Sequence, residues 1–153
     1  MHKRKVDKQA KNMLARLMAA ENLIVEHRPV ETASFDIINR VLTLPIFNDE
    51  ITSEVSTLFI GHEVGHALFT PNTPELVKVW DDKSHLRHIW NMVEDRRIDK
   101  LVINKFRGMR DFYKAGLQQL HDNGWFLCPT EVDELEALHF LDRTNFHYKH
   151  GQY

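Results

Sequence analysis

Cys128 is the only cysteine of the chain, which excludes an internal disulfide; beside Trp125, Phe126 and Leu127 it reads as a buried apolar residue rather than a nucleophile. Long apolar runs are missing too. None approaches the ~20 residues of a membrane span, and Arg16, Glu21 and Asn22 break the N-terminal stretch that a signal peptide would need uninterrupted. Net charge is small: 20 Lys and Arg against 22 Asp and Glu give −2, which argues against a dedicated nucleic-acid binder, and Lys3-Arg4-Lys5 is too short a cluster to reverse that. The six glycines and five prolines mark no convincing linker, repeat or low-complexity tract. These absences leave one domain, residues 1–153, expected in the cytoplasm and burying roughly two-thirds of the surface of its unfolded chain.

Histidine, by contrast, is plentiful, with ten in the chain. Two of them fall in Gly61-His62-Glu63-Val64-Gly65-His66, the H-E-x-x-H arrangement that binds zinc and activates water. On a helix, residues four apart sit about 5–6 Å from each other at Cβ, so His62 and His66 can share one cation. Glu63, about 100° around the axis, is left to act on the attacking water. With so many histidines a chance match is a real risk, and the flanking sequence has to carry the reading.

It does so in three ways. Ile51, Val55, Leu58, His62, His66 and Phe69 form one stripe at helical spacing, and Ile60, Val64 and Ala67 form a second apolar side. This predicts a largely buried helix, opened by an N-cap at Asn48 with acids at Asp49 and Glu50, and stopped by Thr70-Pro71. Histidines on such a stripe need polar partners, and a shared metal supplies one for both. Gly61 and Gly65 each cost ~1 kcal/mol relative to Ala in a helix interior, which implies that something approaches the helix backbone closely there.

Zinc needs a third protein ligand. The metzincin pattern, with glycine three and histidine six residues after the second histidine, is excluded because those positions are Phe69 and Asn72. Downstream, Ser84 opens a helical stretch through Asp99 that carries His88, Asn91, Glu94 and Asp95. This resembles a gluzincin, in which a glutamate on a later helix completes a His, His, Glu site. On a helical wheel Glu94 lies amid Trp90, Asn91, Ile98 and Leu101, so it is the expected third ligand, with Asp95 and His88 as alternatives that a small helix rotation would bring in. Asn91 and Asp95 then become candidates to accept or fix the outer N–H groups of the metal-bound rings. Arg96 and Asp99 are read as part of a solvated helix face.

The stretches 32–45, 62–70 and 91–98 together resemble the metallopeptidase-like domain found in tailed-phage and bacterial proteins, over about residues 30 to 105. The resemblance implies a zincin-like α+β domain, mainly helical, with a small β-hairpin or sheet before the active-site helix, and a peptidase acting on a protein or peptide. It also implies a possible AAA ATPase or host-protein partner and, for a phage protein, the host cytoplasm.

From the residues themselves, Ser34 to Ile37 and Val41 to Leu44 read as a hairpin turning at Ile38-Asn39-Arg40, its second strand closed by Pro45 and compatible with an edge that receives a substrate strand. Residues 6 to 26 read as an amphipathic helix and Met109 to Asn123 as another. Thr130 with Asp133 opens a last helix through Phe140 or beyond. Thr70 to Lys83 reads as one long loop that could border a cleft.

The expected chemistry is peptide hydrolysis with zinc on His62, His66 and Glu94 and Glu63 as general base. Tyr113, His85, His88 and His121 are candidates for the oxyanion donor. The competing reading is a zinc-stabilised binding module without catalysis; an intact Glu63 argues against it, because a purely structural site needs no base.

Overall fold

In the computed structural model, residues 11–12, 14–15, 18, 23–46, 52–81, 85–125 and 139–150 are described. The order is three strands, then five helices: β1 (Ile24–Arg28), β2 (Ser34–Asp36), β3 (Val41–Pro45), α1 (Ser53–Phe69), α2 (Pro74–Asp81), α3 (His85–Lys105), α4 (Met109–Asp122) and α5 (Phe140–His150). This is the mainly helical α+β arrangement expected, with a small sheet ahead of the helices.

The hairpin forms as predicted. β2 pairs antiparallel with β3, matching Ser34 with Thr43 and Asp36 with Val41. Asp36 makes the turn: its Oδ1 accepts the backbone N–H groups of Ile38 at 2.9 Å and Asn39 at 2.8 Å, an Asx turn that lets Arg40 adopt φ 58°. The expected helix over 6 to 26 is corrected at its end. The described residues between 11 and 18 are helical, but Ile24–Arg28 is a strand parallel to β3, with Ile24 opposite Val41 and Arg28 opposite Pro45. β-Branched Ile24-Val25 followed by Pro29 favours extended backbone there. With the order β1-β3-β2, the strand closed by Pro45 is central rather than an edge.

α1 runs through the middle of the molecule, with Ile60 and Val64 fully buried and Val55, Leu58 and Ala67 nearly so. Its cap is Thr52, whose hydroxyl accepts Val55 N–H at 3.3 Å; Asn48, the expected cap, lies outside the described residues. Both interior glycines are explained by helix neighbours. A Cβ at Gly61 would overlap Met109 and meet Tyr113 on α4, and one at Gly65 would stand 2.8 Å from Ile98 and 2.9 Å from Val102 on α3. Close approach of α3 at Gly65 is what brings the acidic side chains of that helix within reach of the two histidines.

Elsewhere, Pro74–Asp81 is helical where a loop was expected. Thr73, Pro74 and Glu75 are an N-terminal signal, with Thr73 accepting Leu76 N–H at 3.3 Å and proline at the first helical position. α4 ends at Asn123-Gly124, as predicted, with Gly124 at φ 72°. The predicted start of the last helix at Thr130 and Asp133 lies outside the described residues, as does Cys128. Among the described residues no helix is long and apolar enough to cross a membrane.

Candidate metal centre

α1 and α3 pass each other in opposite directions. Going up α1 from His62 through His66 to Thr70, the partners on α3 run down from Asp99 through Asp95 to Glu94. The four-residue spacing of the histidines is thus met by the four-residue spacing of two aspartates. His66 Nε2 lies 3.3 Å and His62 Nε2 3.7 Å from Asp95 Oδ1, and the two rings meet edge-on with centroids 5.0 Å apart. Three ligand atoms, one each from His62, His66 and Asp95, lie within 4.8 Å of one another and could hold a metal ion. A tetrahedral ion with bonds of about 2.0–2.1 Å separates its ligand atoms by roughly 3.3–3.5 Å, close to both observed histidine-to-aspartate distances.

This arrangement differs from the expected one at the third ligand. Glu94 is buried, but its carboxylate is turned to other partners: Thr70 Oγ1 donates to Oε1 at 2.6 Å, and Arg97 donates through Nε to Oε2 and through Nη2 to Oε1, each at 2.7 Å. Burial opposes its ionisation, yet the hydrogen bonds from Arg97 and Thr70 win and hold its pKa below the usual carboxylate range. Asp95, read from sequence mainly as a partner for the rings, takes the inner place. Asn91 donates Nδ2 to Asp95 Oδ2 at 3.2 Å and meets the carboxylate rather than either ring. His88, the other alternative, is exposed on α3.

Asp99 and Thr70 are the residues that sequence reasoning missed. Asp99 is not on a solvated face: His62 Nδ1–H donates to it at 2.8 Å, which leaves Nε2 toward Asp95. Thr70, taken only as a helix stop, meets His66 Nδ1 at 2.9 Å. Both lie four residues from a member of the site, Asp99 from Asp95 and Thr70 from His66, and that helical spacing was the available signal. Glu63 is buried at 7% exposure and feels the charges of both His62 and His66. Of the oxyanion candidates, Tyr113 is fully buried against Gly61, His121 pairs with Asp122 at 3.2 Å and His88 is exposed. The side chain of His85 lies outside the described residues.

The electrostatics of the cluster favour a cation. Burial would lower the pKa of His62, but the charge and hydrogen bond of Asp99, followed by the charges of Glu63 and Asp95, raise it from 6.5 to about 10. Burial pushes Glu63 above its ordinary range, against the pull of His62 and His66. In the metal-free protein His62 therefore contributes its full stabilisation below about pH 6.5 and loses it as pH rises through about 10. The unfolding midpoint of metal-free protein is expected to fall across that window, and His62→Gln to lack this part of the decline. Identical profiles for the two would show that the carboxylates do not hold an imidazolium.

No family model, no curated protein and no solved structure matches the chain.

Proposed function

We propose that this chain is a zinc-dependent peptidase whose metal is held by His62, His66 and Asp95 and whose general base is Glu63. The observation that carries this reading is the convergence of both Nε2 atoms on Asp95 Oδ1, with a buried glutamate next in sequence to the first histidine and outside the ligand set. Two imidazoles and one carboxylate also suit Fe(II). The adjacent base, which hydrolysis needs and a redox site does not, favours zinc.

Zinc, when bound at such a set, supplies Lewis acidity to water and to the scissile carbonyl. The protein's own part is positional and acid–base. Asp99 and Thr70 fix the two rings, so that the side facing Asp95 is ready to bind a cation. Glu63, whose pKa burial raises against the pull of His62 and His66, takes a proton from the attacking water in this reading and returns one to the leaving amine. β2 is the sheet edge that packs against α1, paired on one side with β3 and on the other with no described strand. That open edge is where an extended peptide substrate could add as a strand.

The test is to incubate a cell lysate with zinc-loaded protein and compare peptide termini with an untreated control. New termini are expected in extended segments, in the loops and tails of folded proteins. A broad peptide library left wholly uncut would overturn the peptidase reading.

A further inference from the structure

We infer that Thr70 and Glu94 form a positioning relay that keeps the ring proton of His66 on Nδ1 and so presents its Nε2 lone pair to the metal position; this rests on the metal-site reading above and adds two residues to it. Along Glu94, Thr70 and His66 Nδ1 the donor roles allow one assignment, against the pull of Asp95 Oδ1, which lies 3.3 Å from His66 Nε2 and is the competing acceptor for the ring proton. Glu94 is clamped through both oxygens by Arg97 at 2.7 Å, and a carboxylate held by a guanidinium in this way accepts and does not donate. The single hydroxyl hydrogen of Thr70 therefore goes to Glu94 Oε1 at 2.6 Å. Thr70 Oγ1 is left with lone pairs only toward His66 Nδ1 at 2.9 Å, and the ring must supply the proton of that bond.

The relay is anchored at the end of α1. Thr70 N–H donates to the His66 carbonyl at 3.0 Å, and Arg97 Nη2 donates to the Phe69 carbonyl at 2.7 Å while it grips Glu94. The helix terminus, the hydroxyl and the carboxylate are thus fixed as one unit. On His62 the Nδ1 position is held by a shorter route, bonded directly to Asp99. Glu94, expected from sequence to bind metal itself, acts on the metal through two intermediaries.

The readout is the tautomer of His66, followed by nitrogen-15 NMR of histidine-labelled, metal-free protein at a pH where the ring is neutral, together with zinc affinity measured against a competing chelator. Wild type is expected to carry the His66 proton on Nδ1. Thr70→Val should admit the Nε2–H form and weaken zinc binding by about 10–100-fold, while Thr70→Ser restores both. The relay is overturned if wild-type His66 carries its proton on Nε2, or if Thr70→Val leaves tautomer and affinity unchanged. If Thr70→Val does not fold, the wild-type tautomer still decides. A wild-type protein that binds no zinc but shows the Nδ1–H form would sink the metal reading and keep the relay.

Discussion

Replacing Asp95 with alanine is expected to cost roughly 10²–10³-fold in zinc affinity, the share of one ligand when an apparent binding free energy of about 10–16 kcal/mol is divided among four positions. Glu94→Ala is expected to cost less, about 10–100-fold, because it removes an outer partner. The order is the informative part, since helix α3 offers two adjacent carboxylates and sequence alone favours the first. The structure turns Asp95 Oδ1 toward both histidines and spends Glu94 on Arg97 and Thr70. Both variants should be checked for folding, as Glu94→Ala leaves Arg97 without its carboxylate. Competition titrations showing the greater loss in Glu94→Ala would return the ligand role to Glu94 and break the relay with it.

That reversal shows where sequence stops being informative. His62 and His66 were legible because their spacing is fixed by one helix. The hairpin at Ser34–Asp36 and Val41–Pro45 and the helix Met109–Asp122 were equally local, written in β-rich residues, turn residues and a C-terminal Asn-Gly. The choice between Glu94 and Asp95 depends instead on how α3 is rotated against α1, and neighbouring residues differ by about 100° around a helix. Gly65, with Ile98 and Val102 packed against it, sets that rotation; the glycine was noticed, but which chain fills its space is a tertiary fact. Asp99 was misread for the same reason, because a charged residue on a helix has no local mark separating water from a buried imidazole. β1 was lost to a different competition. Leu23 and Ile24 fit the apolar side of a helix as well as a strand, and parallel pairing with β3 decides between them. In α2 the signal was present and misassigned, since Thr73-Pro74-Glu75 starts a helix as readily as proline ends one.

Glu63→Gln is expected to lower turnover by a factor of about 10²–10⁴ while leaving fold and zinc content unchanged. The substitution keeps the shape of a side chain that is 7% exposed and is not among the three residues that could hold the ion, so the metal should stay. It removes the group that would accept and return the proton. It also withdraws a negative charge that helps raise the pKa of His62, so that proton should become easier for a cation to displace, and zinc affinity should hold or rise slightly. His62→Ala, in contrast, should lose metal and activity together. Measured side by side, zinc content, unfolding midpoint and peptide hydrolysis distinguish a catalytic site from a structural one. A Gln variant that keeps its zinc and its full biological effect, alongside a His62→Ala variant that loses both, would mean that the metal braces a binding module, because a site that only braces a fold is indifferent to the loss of its base.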